Sequence, residues 1–539
     1  MPTRNSDADV EMGELPRRDE ICIKSRQAAC ERAVAIYPDH RADLGGTGPL
    51  GRTVTIATLP DDCLLEIFSF YVEVDDEDVL FNIPEDWQTL VHVCQRWRSV
   101  VFASPRRLNL RLSCTSGRRV REMLQIWPPL PIVIEDTTLR NSPTLAMENV
   151  DNIVAAFQHR DRVHEIKLHP LPVYLLEWIS PMMQEPFPAL EFLTLHFPRE
   201  PATVLPDSFL GGCAPLLRCL ALHGVPFPGL PKLLLSTNNL VELYLGDIPH
   251  SGYISPEAMI TSLSSSINLR TLSLYFNSSQ SQPDDFNPSL PSLTRVDLPN
   301  LVEFRFKGTH DYLEDFVARI NAPELYDVQI SLFCQPVFDA THLIRFIGRI
   351  EGFGVFHQAH IPFNYEYSLF KFENAVQNTS LELRIESIGL EAQLSSLAQI
   401  CRPFSSLILP TIERLEIAMV YPPSDTPKNQ TEIWLWSQLL RPFTAVTDLC
   451  LPQSIASRVV RATQNPNGQG SEELLPALKS ISVLGSPFWD VQATFESLIS
   501  ARKDSGHPVA VVREQLPEDD DSESTYSHGS SVSSEISEM

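Results

Sequence analysis

The sequence has no cysteine pair at the CxxC spacing that zinc ribbons and thioredoxin-like sites need. Its ten cysteines, Cys22, Cys30, Cys63, Cys94, Cys114, Cys213, Cys219, Cys334, Cys401 and Cys450, stand apart, several inside apolar runs such as Arg218-Cys219-Leu220. They read as small hydrophobes of a reducing compartment. No uncharged apolar run reaches the ~18 residues of a membrane span, and Asp7, Asp9, Glu11 and Glu14 lie where a signal peptide needs basic and then apolar residues. The expectation is cytoplasm and/or nucleus, with no membrane partner, so the sequons at Asn277, Asn378 and Asn429 are formal matches. GxSxG, GxxxxGK[ST], HExxH and DxDxDG are all missing. That argues for a protein that is not an enzyme and needs no cofactor, catalytic residue or metal. The HxxH at His357 and His360 has Phe-rich surroundings and reads as structural.

Positive charge is also scarce. Against 68 Asp+Glu there are 42 Lys+Arg, a formal net charge of -26, and such a field repels phosphate backbones and acidic membranes. No nucleic-acid partner is expected. The excess is uneven: eight acids and no base follow Arg513, and seven acids fall between Glu73 and Asp86. The one basic block, eight arginines from Arg96 to Arg121, suggests nucleic acid in isolation. Its place in so acidic a chain favours neutralising the protein's own field.

At 539 residues the chain is too long for one compact core unless stacked repeats let one body grow. Residues 1–54 read as a flexible segment with one possible helix over Arg17 to Ile36. Gly46 to Gly51 spells GxGxxG, but Pro49 interrupts it and no strand precedes it, so it is not a dinucleotide turn. Pro60 then suits a first helical position, Asp61 and Asp62 favour a helix N-terminus, and Leu64, Ile67, Phe68 and Tyr71 make one apolar face. A second helix over Trp87 to Arg98 aligns Leu90, Val93, Cys94, Trp97 and Val101. Spacing alone allows an ordinary helical hairpin.

The ordered string Leu59-Pro60-Asp61-Asp62, Leu64-Leu65-Glu66-Ile67-Phe68, Leu90, Val93-Cys94 and Trp97-Arg98 closely resembles the F-box motif, including its V-C-x-x-W ending. The interval between its halves is lengthened by the acidic insert, which looks like the expanded fungal F-box families. The resemblance covers about fifty residues, assigned as 55–104. It implies docking onto a Skp-type adaptor, and through it a cullin-RING ubiquitin ligase, by Leu59, Pro60, Leu64, Ile67 and Phe68, supported by Leu90, Val93, Cys94 and Trp97. Two short helices cannot hide so many large apolar groups among themselves.

From about residue 160 an apolar-x-x-apolar-x-apolar pattern recurs, starting at Val163, Leu190, Leu217, Leu240, Leu269, Leu301, Leu325, Ile350, Ser380, Ile412, Val446 and Leu478. Its period-2 half marks a short strand whose fourth and sixth residues point inward. Ser255 to Ser265 and Tyr312 to Ile320 are return segments, and pieces at Leu108 to Leu112 and Pro131 to Ile134 can start the stack. The pattern looks like an irregular leucine-rich-repeat solenoid over 105–505. The fold class expected is therefore α/β, a short helical F-box followed by this solenoid, with disordered termini.

Positions three, five and seven would then line the concave sheet surface. Position three reads Glu165, Phe192, Cys219, Glu242, Thr271, Glu303 and Asp327; position five includes Lys167, Tyr244, Arg305 and Arg384; position seven carries His169, His196 and His223 in successive repeats. The histidine row reads either as a pH-sensitive or metal-binding ladder or as polar residues at a variable position. Tyr244, Tyr275, Arg305 and Lys307 combine aromatic and cationic groups and are the candidate substrate-binding residues. Residues 506–539 read as a disordered acidic, Ser-rich tail, either a kinase target or a solubilising segment. The resulting expectation is a substrate-recognition subunit of a Skp–cullin–F-box (SCF) ubiquitin ligase that presents an unknown protein substrate. The alternative is a non-ligase repeat scaffold for protein-protein interaction.

Overall fold

The computed structural model describes residues 56–72 and 86–514, apart from 115–118, 137–142, 170–172, 198–203, 280–294, 334–337, 339, 354, 375–376, 421–429, 465–472 and 486–491. The helix expected over Arg17 to Ile36, most of the acidic insert and the tail beyond Glu514 lie outside these residues. The chain divides into two compact units, 1–64 and 65–539.

In the first unit, a 3-10 turn at Ile56–Thr58 leads into helix α1 (Asp61–Val72), which continues into the second. The Leu64 amide donates to the Pro60 carbonyl at 3.1 Å, so Pro60 stands just before the helix rather than inside it. Asp61 and Asp62 occupy the first turn, where the helix dipole favours negative charge.

The second unit opens with α2 (Asp86–Val93) and α3 (Gln95–Ala103). The single helix expected over Trp87 to Arg98 is broken at Cys94, whose extended backbone and Sγ, accepting from the Trp97 amide at 3.4 Å, cap α3. Trp87 sits 6.0 Å from Phe102 and 5.2 Å from Trp127, ring to ring, and donates through Nε1 to the Arg111 carbonyl at 3.1 Å. This aromatic knot fixes the helical pair to the start of the sheet.

That sheet has sixteen strands: β1 (Leu112–Cys114), β2 (Ile132–Asp136), β3 (Val163–Leu168), β4 (Phe192–His196), β5 (Cys219–His223), β6 (Glu242–Ile248), β7 (Thr271–Phe276), β9 (Glu303–Gly308), β11 (Asp327–Phe333), β12 (Gln358–Phe363), β13 (Tyr367–Asn374), β14 (Thr379–Glu386), β15 (Arg414–Met419), β16 (Asp448–Pro452), β17 (Ser480–Leu484) and β18 (Ala510–Glu514). Two short strands, β8 (Val296–Asp297) and β10 (Ile320–Asn321), pair separately. The order runs from β1 to β18 without closing into a barrel, and fourteen α-helices are present among the described residues. The architecture is mixed α/β.

Burial follows the period-2 pattern. In β4, β5, β9, β11 and β17 every second residue is buried and the intervening ones are half-exposed. The buried set, such as Leu220, Leu222, Phe304, Phe306, Val328 and Ile330, packs under the helices, and among the described residues the other face of the sheet is left uncovered. The return segments include α-helices Pro256–Leu263, capped by Ser255 Oγ, and His310–Arg319. Side-chain bonds link successive units: Asn239, Asn268 and Asn300 donate to the carbonyls of Pro215, Asn238 and Ile267 at 3.0, 3.2 and 2.8 Å. Each asparagine immediately precedes a repeat start. Arg162 and Arg349 likewise donate to the carbonyls of Leu130 and Ile320, at 2.9 and 3.0 Å.

Four expectations are corrected. The copy at Ile350 is no strand: Ile350 and Phe353 are buried around a 3-10 turn at Glu351–Phe353, while Val355 is exposed. Apolar residues three apart serve a helical turn equally well. Ser380 pairs with Asp327, so it holds position three, and Arg384 lies beside Ser331 in row seven rather than in row five. In the piece at Leu108 to Leu112, Leu108 and Asn109 end a turn and the strand begins only at Leu112. Finally, the tail does not begin at 506, because Ala510–Glu514 extends the sheet by parallel pairing with β17, anchored by buried Val509.

A pH effect follows at the β16–β17 junction. Hydrogen bonds from Ser480 Oγ and Thr447 Oγ1 hold the Asp448 carboxyl below its ordinary value. A depressed carboxyl stabilises the fold above its unfolded pKa of ~3.9 and loses that contribution as pH falls through the folded value. Ser480→Ala should therefore lower the thermal midpoint slightly at pH 7, corresponding to at most about 0.5 kcal/mol for so exposed a group. The difference from the parent should shrink as the pH falls through the folded value of Asp448, as thermal melts at stepped pH would show.

Candidate functional site

Two surfaces carry the residues singled out by sequence. On α1 to α3 these residues separate by burial. Leu64, Phe68 and Leu90 are buried, with Phe68 packing against the half-buried Trp97 ring at 4.8 Å. In the chain by itself these three side chains belong to the core, whereas the resemblance places them at the adaptor contact. Leu59 is half-buried and Pro60 exposed. Ile67 and Val93 are 44% and 57% exposed, and Cys94 is exposed. Phe70, 77% exposed, was missed because the apolar-face spacing, which ends on the exposed Tyr71, was satisfied without it. An unneeded phenylalanine on a short amphipathic helix was the available signal.

Four arginines of the block meet partners within the protein. Arg98 donates to the Val91 carbonyl at 3.0 Å, Arg107 pairs with Glu66, Arg111 lies 3.0 Å from Glu165, and Arg119 lies 3.4 Å from Glu122. The protein's own carboxylates and carbonyls take up these cations.

The second surface is the uncovered sheet face. Parallel register places Glu165, Phe192, Cys219, Glu242, Thr271, Glu303 and Asp327 in one row across β3 to β11. In row seven the rings of His169 and His196, and of His196 and His223, are each 4.1 Å apart. His223 lies parallel to Tyr244 at 6.4 Å, and Tyr244 is 5.5 Å from Tyr275. A Cβ on Gly246 would meet His223 Cδ2 and Tyr244 Cε1, both at 2.6 Å. The missing side chain leaves room for the Tyr244 ring over Gly246 on its own strand, with His223 beside it. Among the described residues no group of three or more His, Cys, Asp or Glu is arranged to hold a metal ion.

The four candidate substrate residues are neighbours, since Ser273 pairs with Arg305 and Tyr275 with Lys307 in the β7–β9 register. Both cations are neutralised, however. Arg305 lies 3.2 Å from Glu303 and 3.6 Å from Asp327, and Lys307 is 2.8 Å from Glu386. Arg384 sits 3.7 Å over the Tyr367 ring. Burial, and then the neighbouring Tyr275 and Asp247, raise the Tyr244 phenol; burial also raises that of Tyr275 against the opposing Arg305. Desolvation pushes the Glu382 carboxyl up despite Lys371 and Arg384. Burial, followed by Glu242, pushes the Cys219 thiol up to about 12, which leaves it unreactive at neutral pH. His357 and His360 face separate carboxylates, Glu413 at 3.6 Å and Glu416 at 3.8 Å, and form no joint site.

Compared with known proteins, the chain matches no family model and no curated protein.

Proposed function

We propose that this chain is a substrate-recognition subunit of an SCF-type ubiquitin ligase, built as an F-box followed by an irregular leucine-rich-repeat solenoid. The F-box resemblance carries the adaptor assignment. The observation that supports it most is the set of large apolar side chains left exposed on short helices, Ile67, Phe70 and Val93. Isolated exposed apolar residues need no explanation, but several on a few turns of helix favour a protein partner. The uncovered sheet face would present the target protein, and the recruited enzymes would supply the chemistry. This chain contributes proximity and orientation.

A non-ligase scaffold is the second reading. It is favoured by the burial of Leu64, Phe68 and Leu90, which suits helices that merely cap the first strands. Coexpression with a Skp-type adaptor, followed by affinity capture and size-exclusion chromatography, separates the two. A stable one-to-one complex is expected. A folded chain that elutes free of adaptor would leave only the scaffold.

A further inference from the structure

We propose that the uncovered face over β3 to β9 takes an extended protein segment bearing Lys or Arg side chains. This deepens the reading of that face as the substrate surface, and it names the substrate's chemistry.

The ring row from His169 to Tyr275 crosses five adjacent strands, β3 to β7. At ~4.8 Å per strand this is ~20 Å, the reach of about six extended residues. Tyr244 and Tyr275 are half-exposed, so their rings remain available to an incoming side chain. Aromatic faces attract guanidinium and ammonium groups through the ring quadrupole. Gly246 keeps this shelf low, because any Cβ there would displace both His223 and Tyr244.

Charge decides what the shelf accepts. An acidic or phosphorylated segment would need available cations, yet Arg305 and Lys307 already meet Glu303, Asp327 and Glu386, and Lys167 meets Glu165. The negative groups beside the rings are less committed. Glu242 pairs with no Lys or Arg among the described residues and is hydrogen-bonded to the neutral Cys219 thiol. Asp247, with 58% of its side chain exposed, has His223 Nε2 at 3.3 Å and no Lys or Arg paired with it among the described residues. A cationic side chain over Tyr244 would thus find carboxylates near it, whereas an anionic one would be repelled.

The test uses the full chain and three fluorescein-labelled peptides of about eight residues, alternating Ser with Arg, with Glu, or with Ala, read by fluorescence anisotropy. The Arg peptide should bind and the other two should not. The double variants Tyr244→Ala/Tyr275→Ala and Glu242→Gln/Asp247→Asn should each weaken binding about tenfold or more, the latter without a packing change. Neutralising Glu518, Asp519, Asp520 and Asp521 should leave binding unchanged. Equal binding of the Glu peptide would overturn the proposal. So would loss of Arg-peptide binding in the tail variant alone, since the peptide would then be held by net charge elsewhere. Adaptor capture is scored in parallel: failure to capture adaptor removes the ligase reading only, and retained capture without Arg-peptide binding removes this one only.

Discussion

Replacing Glu432 with alanine is expected to destabilise the protein by about 3–5 kcal/mol, the usual cost of breaking a buried ion pair from one side. Glu432 lies on helix Gln430–Leu440 and Arg458 on the next helix, Gln453–Gln464, and both side chains are buried. Arg458 Nη1 donates to the two carboxylate oxygens at 2.8 and 2.9 Å, and Trp436 Nε1 donates to one of them at 3.3 Å. Removing the carboxylate leaves a guanidinium without its counter-charge beside a fully buried indole. Glu432→Gln keeps an acceptor but loses the charge, so its loss should be smaller. Glu432→Leu with Arg458→Met should come close to the parent, because neither member is left stranded. The readout is the denaturation midpoint of the four proteins in one buffer. A single alanine variant within 1 kcal/mol of the parent would show that water reaches this pair.

That pair was not legible in the sequence, and the reason is general to this chain. Rows of strand residues could be read because period 2 and the recurring spacing act locally: positions four and six of the copies from Val163 to Leu325 are buried. Even the candidate quartet of Tyr244, Tyr275, Arg305 and Lys307 could be placed as neighbours by counting along in-phase repeats. Partner carboxylates obey no such local rule. Glu386, which neutralises Lys307, comes from a strand beyond an antiparallel insertion, β12 and β13, that the repeat pattern does not announce. Alternating Ala359, Ile361 and Phe363, then Phe370 and Phe372, around an Asn364-Tyr365-Glu366 turn were its signature, and the repeat spacing obscured it. The face was consequently expected to offer positive charge, whereas the structure neutralises it from within. Burial of Leu64, Phe68 and Leu90 was hidden for a related reason, since an amphipathic period identifies an apolar face without telling core from contact surface.

That ambiguity fixes the variants that will test the ligase reading. Phe70→Glu combined with Ile67→Glu should abolish adaptor capture. Exposed apolar anchors at a protein interface typically contribute ~2–4 kcal/mol each, so even one change weakens binding roughly 30- to 1000-fold. Both side chains project into solvent, so the variants should melt within a degree or two of the parent. Phe68→Ala is the opposite case: it empties a core position against Trp97 and should cost ~3–5 kcal/mol of stability. Its loss of adaptor would then track loss of fold. Leu59→Ala with Pro60→Ala probes the entry to α1, where the resemblance places contact but the side chains are less uniformly exposed. If Phe70→Glu/Ile67→Glu still captures adaptor while Phe68→Ala does not, the exposed pair is not the contact surface, and docking depends on other residues of the folded helices. If the surface pair loses adaptor with an unchanged melt, docking has been separated from folding, and the uncovered sheet face can be assayed for its substrate in a ligase that assembles.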